Sequence, residues 1–503
     1  MCGSLQAVST SPRQPSLLGR ALLALLLLVG FYVLAIAIVV GLAYLPYAEW
    51  RYVGQIHIRI VFFALGGAAL ILWSLLPRWD HFPAPGPRLD LGRHPRLAHL
   101  IDSLAAETGQ SPPKDVYIVA ELNAWVAQRG GVMGIGSRRV MGLGLPLMSG
   151  LTVSQFSAIL AHEFGHYHGG DTALGPWIYK TRAAIALTLA NLSEHSGLLQ
   201  LPFIWYGNLF LRITLGISRA QEYAADDLAA RIVGPKPLAE GLRTIHGLAG
   251  ALGGYWRTVY GPLIDRGYRA PFQQGFQAFI ASSEITTIVE KNLAEELSSP
   301  TSGPYDTHPP LRDRLAALGQ ERVTSAGDGT AMAVTLLEGA PSIEEQWLAF
   351  VIGPSRVSQL TSIDWDEVPL RAWAPIWRHL AIENRERLKG VTPALLSRMT
   401  PHPHGLAVAL KFAAYSDVAV PRNVLDASAA FGACLATILL DRGWHLRADL
   451  GGPVVLSKGE WHVEPFDAWA KIAAGTLSQA TWQQMLEVNG LTDVDLANVA
   501  AQV

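Results

Sequence analysis

Cysteine is scarce in this sequence of 503 residues. It occurs only at Cys2 and Cys434, far apart in the chain. Two isolated cysteines do not define a disulfide framework or a cysteine-based metal site. A stabilising or catalytic role must therefore come from other residue types, and a reducing compartment is consistent with the composition.

Charge is also sparse. Charged residues make up 16% of the chain, and 39 basic residues balance 41 acidic ones to a formal net charge of −2. No polybasic cluster stands out, so nothing electrostatic favours binding to nucleic acid. We therefore expect no nucleic-acid partner.

Apolar residues are abundant instead, and they concentrate near the N-terminus. Residues 17–45 read LLGRALLALLLLVGFYVLAIAIVVGLAYL, and a second apolar run covers residues 58–76. A membrane-spanning helix needs about 20 apolar residues, and the first run is longer than the apolar part of a cleaved signal peptide. We therefore predict that residues 1–80 form a retained N-terminal transmembrane hairpin, with a cleaved signal peptide as the alternative.

Arginines indicate the orientation of this hairpin. The two ends carry more of them than the intervening loop: Arg13 and Arg20 precede the first span, Arg78, Arg88, Arg93 and Arg96 follow the second, and Arg51 and Arg59 lie between. Positive residues favour the cytoplasmic side. The pattern predicts a multi-pass membrane protein whose C-terminal part faces the cytoplasm. The Ala-, Arg- and Leu-rich composition suggests a bacterial genome, so we expect the membrane to be a bacterial inner membrane.

The remainder is predicted to be α+β and mainly helical. Residues 89–322 begin with a helix at 95–108 and short strands at 116–119, 124–127 and 140–143, which form a small sheet. Residues 326–503 are predicted to form a separate C-terminal α+β domain of unassigned role, with a β-hairpin within 444–465. The apolar segment 177–217 contains charged residues, so it is either membrane-embedded or amphipathic and packed on the domain or lipid surface.

The segment AHEFGHYHGGD at residues 161–171 carries the clearest chemistry. Thr152 and Gln155 form a capping-box pattern that predicts the start of a helix, which places His162 and His166 on one face of its last turns. Two imidazoles at this spacing can bind one metal ion, and Glu163 between them is placed to act as a general base. The alternative is a histidine pair on a solvated helix.

A third metal ligand must come from elsewhere. The metzincin pattern would need a histidine at position 172, which is Thr172, so that subclass is excluded. A second capping-box pattern at Ser218 predicts the start of another helix, on which Glu222 and Asp226 are four residues apart. Glu222 can complete a two-histidine, one-carboxylate zinc site while Asp226 orients a ligand imidazole, or the pair can belong to a solvated acidic face.

Four short motifs in this order resemble the membrane-associated zinc endopeptidases that include HtpX and the yeast-type CaaX prenyl proteases. They are NAW at 123–125, HEFGH at 162–166, EYAAD at 222–226 and THPPLRDR at 307–314. The likeness covers residues 89–318 and the N-terminal hairpin. It implies a zincin-like metallopeptidase domain over 89–322.

The resemblance also implies roles for individual residues. One Zn²⁺ per chain is bound by His162, His166 and Glu222, and Glu163 is the catalytic base and acid. Asp226 and Arg314 support the ligands, and His308 stabilises the oxyanion. Asn123 and Ala124 belong to an edge strand that aligns an extended substrate.

We therefore expect a membrane-anchored zinc-dependent endopeptidase with protein or peptide substrates and a lipid bilayer as partners. Membrane protein quality control is the general role that the resemblance implies. A processing protease of narrow specificity, and a non-catalytic membrane-tethered adaptor or chaperone with the same fold, are the alternatives.

Overall fold

The protein is mainly helical, with small sheets, as the sequence predicts. The computed structural model describes residues 17–75, 81–131, 136–166, 185, 189, 197–298, 308–320, 331–398, 405–412 and 421–499. The chain divides into two compact units, one of residues 1–246 and 293–338 and the other of residues 247–292 and 339–503. Each unit is described separately below.

Two long apolar helices begin the first unit: α1 (Leu17–Val53) and α2 (Ile58–Leu75). They pack on each other, yet large apolar side chains such as Leu26, Val40, Phe62 and Phe63 are more than half exposed. Residues Leu25–Val53 are long and apolar enough to cross a membrane.

A four-stranded sheet follows. It contains β1 (Arg88–Leu89), β2 (Asp115–Val119), β3 (Ala124–Arg129) and β4 (Arg138–Gly144) in the order β1-β2-β4-β3. β2 and β4 are parallel, whereas β3 runs antiparallel to β4. The indole of Trp125 covers Gly142, where a Cβ atom would come within 2.3 Å of the ring. The three strands expected from the sequence are present, and β3 lies at an edge.

Helices pack beside this sheet. They are α3 (Pro95–Glu107), α4 (Leu145–Gly150) and α5 (Val153–Gly165). The side chain of Thr152 accepts the N–H of Gln155, and the Gln155 side chain accepts the N–H of Thr152, so the predicted capping box is confirmed. α5 ends at Gly165 with His166 as its C-cap, as predicted for the histidine motif.

The next helix differs from the sequence prediction. α6 runs without interruption over Gly197–Ile232, so Ser218 lies inside a helix and does not begin one. The prediction of a capped helix start at Ser218 is therefore wrong, because the apolar residues before it continue the same helix. The helices that follow are α7 (Pro235–Tyr255), α8 (Gly261–Asp265), α9 (Phe272–Ala281), α10 (Ser283–Ser298) and α11 (Leu311–Ala317).

A short segment at 331–338 holds the start of α5. The Val153 N–H donates to the Ala331 carbonyl at 2.9 Å, and the Ala333 N–H donates to the Leu151 carbonyl at 2.8 Å. Further along, the Glu338 N–H donates to His94 Nδ1 at 3.0 Å. These bonds fix the segment to the beginnings of α3 and α5.

The second unit combines residues from two distant parts of the chain. Its aromatic core brings Tyr255, Tyr260 and Phe272 together with Trp347, and the Phe272 and Trp347 ring centroids lie 4.6 Å apart. The sequence predicts one peptidase domain over 89–322, whereas residues 247–292 group with the C-terminal part. The cause is this long-range aromatic packing, which local sequence patterns do not report.

The rest of the second unit is built around α17, which is mostly buried although its length and composition would suit a membrane span. Its helices are α12 (Ala340–Ile352), α13 (Pro354–Val357), α14 (Ala374–Glu383), α15 (Leu395–Arg398), α16 (Gly405–Ala409), α17 (Pro421–Asp441), α18 (Ala468–Ala473) and α19 (Gln479–Val488). Its strands are β5 (Tyr268–Arg269), β6 (Thr361–Ser362), β7 (His445–Ala448), β8 (Val454–Lys458) and β9 (Trp461–Val463). The predicted hairpin is thus part of a three-stranded sheet.

Removing one hydrogen bond of the 331–338 segment tests its contribution to stability. Ala333 is the first residue of a 3-10 turn, where proline's φ is tolerated, so Ala333→Pro deletes the donor to Leu151 with little change in geometry. We expect the free energy of unfolding to fall by about 1–3 kcal/mol. Thermal unfolding of the detergent-solubilised protein measures this, with Ala333→Gly as the matched control that keeps the N–H. Equal stability of the proline and glycine variants would contradict the assignment.

Candidate metal centre

The last turns of α5 bring three candidate side chains together. His162 is 5% exposed, and its ring centroid lies 4.7 Å from that of His166. His162, Glu163 and His166 each offer a ligand atom, and these atoms lie within 4.8 Å of one another. The i, i+4 spacing therefore places both imidazoles on one side of the helix, as the sequence predicts.

Glu222 on α6 faces both histidines. Its Oε2 lies 3.6 Å from His162 Nε2, and its Oε1 lies 3.6 Å from His166 Nε2. These distances are long for hydrogen bonds. Two ligand atoms that bind one zinc ion tetrahedrally, each about 2.1 Å from it, are about 3.4 Å apart. The spacing therefore suits three ligands of a shared cation.

The environment of Glu222 supports the same conclusion. The residue is 6% exposed, and its Oε2 has no hydrogen-bond partner among the described residues. An unsatisfied buried carboxylate oxygen is costly unless a cation compensates it. The donor set of two imidazoles and one carboxylate fits a zinc ion.

Asp226, one turn after Glu222, holds His162 in place. Its Oδ1 lies 2.9 Å from His162 Nδ1. A carboxylate can only accept here, so Nδ1 carries the proton and the Nε2 lone pair is free for a metal ion. The sequence prediction that Asp226 orients a ligand imidazole matches this geometry.

Arg314 on α11 binds the Asp226 carboxylate through two parallel hydrogen bonds. Arg314 Nε donates to Oδ2 at 2.8 Å, and the NH2 group donates to Oδ1 at 2.6 Å. Arg314 is 5% exposed, and its NH1 group also lies 3.8 Å from Glu222 Oε2. A two-pronged contact of this kind fixes the orientation of the carboxylate.

His308 also lies beside the ligands. Its Nδ1 is 3.1 Å from Glu222 Oε1, while its side chain is 62% exposed. The structure thus brings the predicted oxyanion-stabilising histidine to the open side of the site, in contact with a candidate metal ligand.

The burial of the site shifts several pKa values. Burial, reinforced by the nearby Glu222 charge, raises the pKa of Glu163 to about 7. Burial lowers the pKa of His166 to about 4, so this imidazole is neutral near pH 7, as a metal ligand must be. Burial alone would raise the pKa of Asp226, but the hydrogen bonds from Arg314 and His162 outweigh it and lower that pKa to about 2.

The two predicted substrate-binding residues lie at the start of β3. Ala124 is 1% exposed, and its N–H donates to the side-chain oxygen of Asn123 at 2.9 Å. β3 pairs with β4 on one side only within the described sheet, and α5 packs against it. The structure therefore places Asn123 and Ala124 on an edge strand next to the helix that carries the histidines.

One feature of the site is not predicted by the sequence motifs. At Gly165, a Cβ atom would come within 3.0 Å of the Ala225 Cα and 3.1 Å of the Ala225 Cβ. The backbones of α5 and α6 are therefore in close contact. The contact lies where the turn of α5 that carries the histidines faces the turn of α6 that carries Glu222 and Asp226. The sequence indicates this contact only through the small residues at the two positions, Gly165 and Ala225.

A histidine pair in a His-Glu-x-x-His helix, with a carboxylate from a second helix, defines a metallopeptidase type of centre. Residues 92–322 match the sequence profile of peptidase family M48. This segment therefore resembles the peptidase domain of that family.

Three relatives named "Protease HtpX homolog" are similar to the chain. The protein from Acidiphilium cryptum is 27% identical over 44% of this chain and 73% of its own length. Those from Desulfatibacillum aliphaticivorans and Archaeoglobus fulgidus are each 25% identical, over 51% and 46% of this chain and 78% and 69% of their own lengths. No solved structure matches the chain significantly.

The close approach at Gly165 generates a test of the site. In a Gly165→Ala variant the new methyl group pushes α5 from α6 by a few tenths of an ångström and moves the histidines away from Glu222. We expect the affinity for zinc to fall by about 10-fold or more, the scale of changes in residues that orient metal ligands. A competitive titration with a zinc chelator measures the affinity.

The matched control is Gly250→Ala, an exposed helical glycine of α7 whose added Cβ meets nothing within 4 Å. This variant should keep the affinity of the unchanged protein. If Gly165→Ala binds zinc as tightly as the control does, the helix contact does not set the ligand geometry.

Proposed function

We propose that this protein is a membrane-anchored, zinc-dependent endopeptidase that hydrolyses peptide bonds of protein substrates. The observation that carries the proposal is the position of the buried Glu222 carboxylate, with one oxygen 3.6 Å from each histidine Nε2. A carboxylate and two imidazoles around one point, next to the Glu163 carboxyl group, are the groups that metal-assisted hydrolysis requires.

His162, His166 and Glu222 would hold the zinc ion, one per chain. When bound, zinc supplies Lewis-acid activation of water and of the peptide carbonyl. Asp226 keeps His162 in the tautomer that can bind, and Arg314 keeps Asp226 in the matching orientation.

Glu163 is the group that moves the proton. In its ionised form it removes a proton from the attacking water, and the resulting carboxylic acid then protonates the amide nitrogen that leaves. Burial raises the pKa of this carboxyl group, which favours its acceptance and later release of a proton.

The substrate would lie extended along β3 at Asn123 and Ala124. Within the described sheet β3 has a neighbouring strand on one side only, and an edge strand can pair with an extended polypeptide through backbone hydrogen bonds. His308 is on the exposed side of the ligands, where its imidazole can donate to the oxyanion as negative charge develops on the peptide oxygen.

We place the protein in a bacterial inner membrane with the peptidase on the cytoplasmic side. The exposed apolar surfaces of α1 and α2 support the anchor, and the arginines at the outer ends of both helices support the orientation. A role in membrane protein quality control is consistent with recognition through backbone groups.

Glu163→Gln tests the mechanism. The glutamine preserves the size of the side chain but cannot act as a base, so we expect cleavage of an unstructured polypeptide to fall by about 10²–10⁴-fold. Zinc content should stay that of the unchanged protein, because Glu163 is not among the proposed ligands. Cleavage is followed by mass spectrometry of the products and zinc by elemental analysis.

Glu107→Gln is the control, because Glu107 is an exposed residue at the end of α3 whose carboxylate accepts a hydrogen bond from Ser103. It should retain full activity. Full activity in the Glu163→Gln protein would overturn the proposed mechanism.

A further inference from the structure

The first half of α6 has the surface of a membrane helix. Residues 197–211 carry no charge, and Leu201 and Trp205 are 56% and 65% exposed. The first charged residue of α6 is Arg212, which is also exposed. An exposed apolar stretch that ends in an exposed arginine is the pattern of a helix that leaves the hydrocarbon core for the headgroup region.

The same half of α6 packs against the N-terminal helix. The rings of Phe203 and Tyr206 each lie 6.0 Å from that of Phe31, and the Tyr206 hydroxyl donates to the Leu27 carbonyl. Leu27, Phe31, Phe203 and Tyr206 are all buried in one apolar cluster. The lipid-facing surface of α1 is therefore continued by α6.

The second half of α6 carries a candidate metal ligand. The helix continues without interruption from Arg212 to Glu222 and ends only at Ile232. Ten residues of α-helix extend about 15 Å. Any tilt of the helix shortens its projection on the membrane normal, so about 15 Å is the greatest height of Glu222 above Arg212.

From this arrangement we infer that α6 is a ruler that holds the metal centre within about 15 Å of the membrane surface. The inference rests on the proposed peptidase function, and it sets the position of the cut: a membrane-anchored polypeptide is cleaved in the segment that emerges from its own transmembrane helix. The site that the ligands define cannot move away from the bilayer without breaking α6.

The height of the metal centre above the membrane surface determines how many substrate residues are needed to reach it. An extended polypeptide spans about 3.3 Å per residue, so about five residues cover the distance from the membrane surface to the metal centre. When α6 lies along the membrane normal, a shorter spacer cannot reach the site. With a much longer spacer the tethered segment still reaches it, but its effective concentration there falls roughly as the −3/2 power of the length. The rate of cleavage should therefore have a maximum near five residues.

The test uses the full-length protein in lipid vesicles with a series of single-span substrates. All substrates carry one identical cleavable sequence, separated from the span by a Gly-Ser spacer of 2, 5, 10, 20 or 40 residues. Initial rates and the cleaved bonds are measured by mass spectrometry. We expect the rate with the 5-residue spacer to exceed those with 2 and 40 residues at least threefold. In the long-spacer substrates, additional cuts within the spacer should concentrate near the membrane.

A soluble peptide with the same cleavable sequence separates the two claims. If the soluble peptide is cleaved but the rates of the anchored substrates do not depend on spacer length, the ruler is wrong and the peptidase function stands. If neither the peptide nor any anchored substrate is cleaved, and Glu163→Gln gives the same result, the proposed function fails and the ruler fails with it.

Discussion

The buried contact between Arg314 and Asp226 is the interaction on which the rest of the site depends. It joins α11 to α6, and through the Asp226–His162 contact it also reaches α5. Burying both charges is costly, and only good geometry and additional hydrogen bonds compensate for it. Here two parallel bonds from the guanidinium and one from the imidazole satisfy the carboxylate, so the orientation of His162 is set by a chain of contacts and not by its own helix alone.

The ligand geometry also depends on helix packing. α5 supplies two imidazoles and α6 supplies a carboxylate, so the distance between these helices determines whether one ion can bind all three. The contact of Gly165 with Ala225 brings the backbones together at this level. The 331–338 segment, which lies beyond the part of the chain that matches the peptidase family, holds the start of α5. The first unit therefore extends beyond the C-terminal end of the matched segment.

Local features of this protein could be predicted from the sequence, whereas long-range ones could not. The capping box at Thr152 and the four-residue spacing of His162 and His166 depend on neighbours within one helix, and both predictions agree with the structure. The start of a helix at Ser218 was a wrong prediction, because a capping pattern does not reveal that the preceding apolar residues continue the helix. The four-residue spacing of Glu222 and Asp226 made Glu222 a candidate ligand, with a solvated acidic face as the alternative, and the family resemblance then favoured the ligand role. The aromatic core that draws residues 247–292 into the second unit joins parts of the chain too distant for any local pattern.

The central claim is that His162, His166 and Glu222 bind one zinc ion. Elemental analysis of the purified full-length protein tests it most directly, together with His162→Ala and Glu222→Ala variants. Asp227→Ala is the control, since Asp227 is an exposed residue of the same helix that pairs with Arg231. The account predicts one zinc per chain in the unchanged protein and in the control, and a loss of most of the zinc in both ligand variants. A protein that contains no zinc, or ligand variants that retain it fully, would contradict the account.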